Sequence, residues 1–511
     1  MSKTAYEFYH KRLKNLFAVA EAESFLKMIW AVRAAQTGNS RRAAIFLEFP
    51  KEFVTSDITS DYYIHPWRLE DVLNEYFVTA QGLGKAAKKG KVLNCQSYAT
   101  VTSIFYYLGK MQNAESGLHL ENVHVLDELV RISHKQFEWQ RGFLNIASLY
   151  RSAYLYAGPE CIRYFENTYG VSFVDFSLIG FGLYSHFLEN PIIGPKIDSS
   201  LIDVPIEATE KILSLISAPI DRIRHEASDL RQIHSYGSYS PSVLRRIPCI
   251  DLSKKGKPIV FAPIPELVLQ RVSVGMYYDI ISGGNQVRNE IGRQFERYCL
   301  NLLKAGLSGF QYLEAVNYKR KKNNVYSPDI LVCEQDSIRL VVECKSKRMN
   351  ISSKFDPTKF RTPDGWDEIV KAVVQIWRFF CDCRRGICSS HSVDKKAIGL
   401  VLTLDPWLTM THDRYARIMA EANTILAKKE PLMQDVDRRR IAFCDINDLE
   451  SLICKADKES FVDTISCAAS TEKAGWLLTS IHKELRPENT VNRKYPFSEN
   501  IADVLPWWNK I

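Results

Sequence analysis

Over the first 235 residues apolar positions return every three to four residues, with polar ones between. Tyr9, Leu13, Phe17, Ala20, Phe25 and Ile29 make one such stripe, and others run over 67–79, 97–112, 123–134, 146–156 and 208–233. That spacing is the helical period, so this half reads as helix after helix. Breaks fall at Gly84, Gly158-Pro159, Asn190-Pro191 and Gly194-Pro195, where Gly and Pro punctuate a chain. The most apolar run, Val171 to Leu188, contains Asp175 and His186 and is barely long enough to span a bilayer. A buried helix is expected there, and no membrane segment.

Near residue 236 the pattern changes. A small, polar stretch at Ser235–Pro241 precedes two strand-like runs, 247–252 and 258–262, around a Lys/Gly turn. A helix is expected over 265–273. From about Arg288, Ile291, Phe295, Cys299 and Leu302 line one helical face, with Glu296 beside that stripe and Glu290 expected in solvent. Then come a strand over 310–316, a basic turn Lys319-Arg320-Lys321-Lys322, and strands over 327–332 and 338–345. A helix over 366–381 and a strongly apolar strand over 397–404 follow. Beyond these, 415–429 reads as helix, 441–445 as a strand extending the sheet, and 447–511 as mostly helical, with Pro506-Trp507-Trp508 expected to dock back rather than serve a partner. The expected fold class is therefore an α/β core preceded by a large all-α region. The divisions fall at 1–235 (helical), 236–287 (linker, hairpin and helix), 288–455 (α/β core) and 456–511 (helical extension).

Composition adds limits rather than identity. With 511 residues, 46% apolar and 25% charged, the chain is ordinary globular material, long enough for about two to four domains. A net charge of +8 is mild for this length, so any anion-binding surface has to be local. Twelve irregularly spaced cysteines and a charged, aromatic N-terminal run fit reduced thiols in the cytoplasm. Two leads fail on spacing. Gly84–Val92 resembles a phosphate loop, but its glycines are one residue too far apart and Val92 stands where a hydroxyl is required. Cys381, Cys383, Cys388 and His391 fit no common zinc finger, because the first two cysteines continue a helix. Zinc is not expected there.

The chemistry is concentrated at the end of the 338–345 strand. Side chains alternate along a strand, so Val341, Glu343 and Lys345 face one way and Leu340, Val342 and Cys344 the other. Two charges at i and i+2, closing an apolar strand, are costly to bury unpaired. They make sense at a cleft that holds a cation. Asp329 opens the neighbouring strand and is placed to converge with Glu343. Two carboxylates plus the Cys344 main-chain carbonyl suit Mg²⁺ or Mn²⁺. The Cys344 thiol itself is expected to pack in the core.

Pro328-Asp329, followed fourteen residues later by Glu343-Cys344-Lys345, resembles the PD-(D/E)XK nuclease superfamily, the restriction-endonuclease-like fold. The family core is helix–strand–strand–strand–helix–strand, and residues 288–405 supply those elements in that order, about a quarter of the chain. Members often carry a Glu on the first helix, a place Glu296 occupies. Some branches add a Gln on the second helix, which Gln375 resembles, although Phe379 stands where their Tyr is usual. A decoy, Asp382 with Asp394-Lys395-Lys396, lacks flanking strands: Asp382 belongs to a helix and Asp394 to a polar loop.

The resemblance implies a Mg²⁺- or Mn²⁺-dependent endonuclease. Asp329, Glu343 and the Cys344 carbonyl would hold metal, Lys345 would orient water and neutralise charge, and Glu296 would serve a second metal or a metal-bound water. DNA is the expected substrate ahead of RNA, with Lys319, Arg320, Lys321, Lys322, Lys371 and Arg378 as nucleic-acid contacts. Glu368, Lys371, Gln375, Arg378 and Asp382 form a polar helical stripe that reads equally as solvated or substrate-facing. Large helical additions to such a core resemble bacterial restriction and anti-phage systems, and the helical half suits a homodimer or a partner protein. The alternatives are a non-cleaving nucleic-acid-binding or scaffold protein on the same fold, and an RNA-cleaving relative.

Overall fold

A computed structural model describes residues 3–80, 82, 90–120, 125–194, 205–233, 241–253, 259–349, 354, 364–389, 391–406 and 412–510. The protein is mixed α/β with a large helical N-terminal region. No single helix among the described residues is long and apolar enough to cross a membrane. The 171–188 run forms the helix Phe173–Glu189, with Phe176, Ile179, Leu183 and Phe187 buried. The Gly84 loop and most of the 235–241 stretch lie outside the described residues.

The chain divides into two compact units, each built from two segments: Met1–Asn145 with Ile162–Ser282, and Ile146–Cys161 with Gly283–Ile511. These boundaries differ from the linear division read from the sequence. The 247–262 hairpin, seen as strands Cys249–Asp251 and Val260–Phe261, belongs to the helical unit. The helix Ile146–Tyr156 instead belongs to the sheet unit, where Arg151 pairs with the buried Glu450 and bonds Asn447 at 2.8 Å. The C-terminal extension joins the same unit, with Trp507 buried as the docking expectation required. Helical period identifies an apolar face but not the face it meets.

In the helical unit, helix Pro66–Val78 buries Glu70, Asp71, Asn74 and Glu75 as well as its apolar face. Cations answer these acids: Lys135 pairs with Asp71, Arg245 with Glu70 at 2.9 Å, and Arg231 with Glu75.

The second unit is organised by a five-stranded mixed sheet. Its strands, Gln311–Glu314, Ile330–Glu334, Ser337–Lys345, Ser392–Thr403 and Ile441–Asp445, lie side by side in chain order. The second is antiparallel to the first and third; third, fourth and fifth run parallel. Antiparallel neighbours need only a turn, here Gln335-Asp336, both at positive φ (48° and 62°) as a two-residue hairpin loop favours. The parallel neighbours are bridged by helices Trp366–Arg384 and His412–Lys429.

Val341, Leu331, Val401 and Phe443 pack in one cluster with Ile369, Val373, Ile376 and Trp377 of the 366–384 helix. Helix Asn285–Gly306 contributes Cys299, which meets Cys344 from the other strand face. The expected alternation along 340–345 is thus observed. At Gly399 a Cβ would come within 2.8 Å of both Ile376 and Ile441. Glycine therefore lets the helix and the fifth strand close on the fourth. Gly399→Ala should destabilise the protein by roughly 1–3 kcal/mol, the usual effect of overpacking, as measured by chemical denaturation. A variant as stable as wild type would show that this contact relaxes freely.

Candidate active site

The second and third strands set the site through their register. Glu334 pairs with Ser337 and Cys333 with Ile338, but Val332 pairs with Leu340, leaving Arg339 as an extra residue. Arg339 is held by Asp394 at 2.9 Å and Glu334 at 3.3 Å. The shifted register continues to Ile330 opposite Val342, which brings Asp329 to the level of Glu343. Asp329 stands one residue ahead of the strand, not within it as the 327–332 reading had it. It is nevertheless tied to the pair, because its Oδ2 accepts the Cys344 N–H at 2.7 Å.

That bond also orients the third strand. The Lys345 carbonyl accepts Leu404 N–H at 3.0 Å and so faces the fourth strand. Backbone directions alternate along a strand, so the Cys344 N–H and carbonyl both face the side where the second strand has ended, next to Asp329.

Glu343 is 2% exposed. Its Oε1 accepts from Lys345 Nζ at 2.7 Å, while Oε2 is buried without a hydrogen-bond partner among the described residues. Lys345 Nζ also donates to Gln375 Oε1 at 3.1 Å, so the 366–384 helix supplies the far wall. Glu296, on the 285–306 helix, is half-buried and near enough for its charge to act on Glu343 and for Asp329 to act on it. Asp329, Glu343, Lys345, Glu296 and Gln375 are thus gathered at one end of the sheet.

Glu290 is placed otherwise than expected. It is buried, accepts Cys161 N–H at 2.9 Å, and presses on Gly158, where a Cβ would meet its carboxylate at 2.2 Å. Its role is to hold the start of the Pro159–Tyr169 helix.

Burial dominates the electrostatics of the acids at the site. Burial, then the charge of Asp329, pushes the Glu343 carboxyl upward against the pull of Lys345. Burial raises Asp329 as well, opposed by the Cys344 N–H and Lys345. Burial and Asp329 bring Glu296 to about 7. Burial alone would lower Lys345, but Glu343 more than offsets it and holds the amine charged. Among the described residues no group of three His, Cys, Asp or Glu side chains is drawn close enough to hold an ion unaided. The donor set that fits a hard cation is the smaller one: Asp329, the unpartnered Glu343 Oε2 and the Cys344 carbonyl, with water completing the shell.

The expected nucleic-acid contacts divide. Lys319, Lys321 and Lys322 are exposed, and Lys371 is exposed with Glu368 at 3.0 Å. Arg320 is instead committed to Asp382 and Glu430, and Arg378 to Glu430 at 2.9 Å. Asp382 is fully buried, so the helical polar stripe reaches solvent at Lys371 and Gln375 and in part at Glu368 and Arg378, but not at its last position. The decoy fails differently from its sequence reading, since Asp394 lies within the fourth strand, at a break in its register. Of the cysteine run, Cys381 faces the Leu432 carbonyl while Cys383 neighbours Cys388.

A carboxyl raised on folding stabilises the protein below its unfolded pKa and loses that contribution as pH rises through the folded value. Wild type should therefore lose stability between about pH 4.5 and 7.5 on account of this cluster, and Glu343→Gln, which removes one of its three raised carboxyls, should lose less. The melting temperature of the variant relative to wild type should rise from pH 5 to pH 8 by the equivalent of about 1–2 kcal/mol. Mg²⁺ or Mn²⁺ at pH 8 should raise the melting temperature of wild type and have little effect on the variant. Equal responses of the two proteins to pH and metal would remove the cation site.

No protein-family model, curated protein or solved structure matches this chain.

Proposed function

We propose that the protein is a metal-dependent nuclease that hydrolyses phosphodiester bonds, with DNA as its substrate. The observation that carries this reading is the unpartnered, buried Glu343 oxygen beside Asp329, with the Lys345 amine held between that carboxylate and Gln375. Leaving aside the two short strands 317–320 and 323–326, which pair only with each other, the order helix–strand–strand–strand–helix–strand over 285–403 supports the resemblance to the PD-(D/E)XK superfamily.

Phosphodiester hydrolysis needs a deprotonated water, relief of charge on the non-bridging oxygens, and help for the leaving oxygen. Asp329, Glu343 and the Cys344 carbonyl would hold Mg²⁺ or Mn²⁺, which when bound supplies Lewis acidity and lowers the pKa of water. Lys345 stays protonated beside Glu343 and is suited to neutralise charge that develops on phosphate. Gln375 accepts from the same amine and so limits where it points. Glu296, with a pKa near 7, is poised to take a proton from a water at the cleft. A purely structural cluster would gain from pairing every buried carboxylate oxygen; this one leaves an oxygen open.

The test is cleavage of supercoiled, linear and branched DNA and of RNA with Mg²⁺ or Mn²⁺. Lys345→Ala should lower the rate by about 10²–10³, as loss of one group stabilising transition-state charge does, while leaving nucleic-acid affinity nearly intact. Asp329→Ala should be at least as damaging, through loss of metal. If wild type cuts nothing with any divalent metal yet binds nucleic acid as well as Lys345→Ala does, the protein is a binding module.

A further inference from the structure

Between the first and second sheet strands the chain forms a separate two-stranded ribbon, Asn317–Arg320 antiparallel to Asn323–Tyr326. Asn317 lies opposite Tyr326, Tyr318 opposite Val325, Lys319 opposite Asn324 and Arg320 opposite Asn323. Alternation gives the ribbon two unlike faces.

One face is fixed to the protein. Tyr318 Oη donates to Asp382 at 2.9 Å, Arg320 Nε donates to the same carboxylate at 3.1 Å, and the Arg320 terminal nitrogens grip Glu430. Glu430 is held in turn by Arg378. The opposite face presents Asn317, Lys319, Asn324 and Tyr326, all exposed, and the tip adds Lys321 and Lys322. Tyr326 is 68% exposed, more than any other large apolar or aromatic side chain among the described residues. No described carboxylate pairs with Lys319, Lys321 or Lys322. Lys321 moreover occupies a turn position at φ +58°, which glycine or asparagine fills at lower cost.

We infer that this ribbon is a docking element for B-form duplex DNA, entering the major groove with its Lys319/Asn324/Tyr326 face. The inference deepens the nuclease reading and rests on it for the presence of nucleic acid. Four-residue strands reach about 13 Å, and the B-DNA major groove, roughly 12 Å wide, admits a two-stranded ribbon. The major groove of A-form RNA is too deep and narrow for side chains to read, so duplex DNA is the partner selected. Three unpaired ammonium groups suit phosphates on the groove walls. The Asn317 and Asn324 amides suit base edges, and the Tyr326 ring suits a sugar or a thymine methyl. Two residues, Ser327 and Pro328, separate Tyr326 from Asp329, so a duplex held by the ribbon lies beside the carboxylates. Arg320 and Arg378 take no part in contact; they brace the ribbon.

Fluorescence anisotropy with a 25-base-pair DNA duplex and an RNA duplex of the same sequence, over a salt series in EDTA, tests this. Full-length wild type should prefer DNA by at least about tenfold. Lys319→Ala/Lys321→Asn/Lys322→Ala, in which asparagine tolerates the turn, should lose at least about tenfold in DNA affinity and about 2–3 units of salt slope. Asn324→Ala/Tyr326→Ala should lose affinity with the salt slope unchanged. Unaltered circular dichroism and melting would place these losses in contact rather than folding. Wild-type DNA affinity and slope in the triple variant, or equal binding of RNA and DNA by wild type, overturns the proposal. Cleavage of the same duplex separates the two readings. If wild type cuts and the ribbon variants bind and cut like it, the ribbon falls and the nuclease stands. If the ribbon variants lose binding but wild type never cuts, the nuclease falls and the ribbon stands.

Discussion

The whole candidate site depends on one extra residue in a β-ladder. Had the pairing of Cys333 with Ile338 continued without Arg339, Asp329 would stand level with Val342, and its partner would face the other side of the sheet. The bulge moves the register by one and delivers Asp329 to Glu343. Arg339 is held by Asp394 and Glu334. A residue inserted into a ladder re-aims side chains beyond it, and here the re-aimed residues are the ones that carry charge.

Given that register, the electrostatics follow. An apolar sheet packed under the 366–384 helix leaves little water around Glu343, so its charge has to be met by Lys345 or by a ligand. Lys345 satisfies one oxygen, and the other is left open. Such an arrangement works against stability near neutral pH and is sustained by the surrounding core, the usual relation between a stable scaffold and a functional site. Glu296 and Glu290, six residues apart on the same helix, show how the scaffold assigns roles. The first is raised by burial and by Asp329 nearby; the second is spent holding the backbone at Cys161.

The same economy appears in the basic residues. Lys319, Arg320, Lys321 and Lys322 form one cationic run in the sequence, yet strand pairing separates them. Arg320 turns inward to Asp382 and Glu430, while its neighbours remain in solvent. Bracing on one side and exposed lysines on the other suit the proposed contact element, because a ribbon that had to be ordered on binding would lose affinity to that ordering.

By itself the sequence determined the helical character of the first half, the order of elements around the sheet, the alternation of 340–345, and the grouping of Asp329, Glu343, Lys345 and Glu296. Those properties are carried by local periodicity and by charges too costly to bury singly, so they are written in adjacent residues. Tertiary structure alone decided the rest. The Arg339 bulge left no local mark, because an arginine between Ile338 and Leu340 fits a regular strand equally well. The burial of Glu290 and Asp382 depends on partners far along the chain, Cys161 for one and Arg320 for the other. The 146–156 helix belongs with the sheet because Arg151 meets Glu450, about three hundred residues away. Periodicity says that a face is to be covered; only the assembled fold says by what.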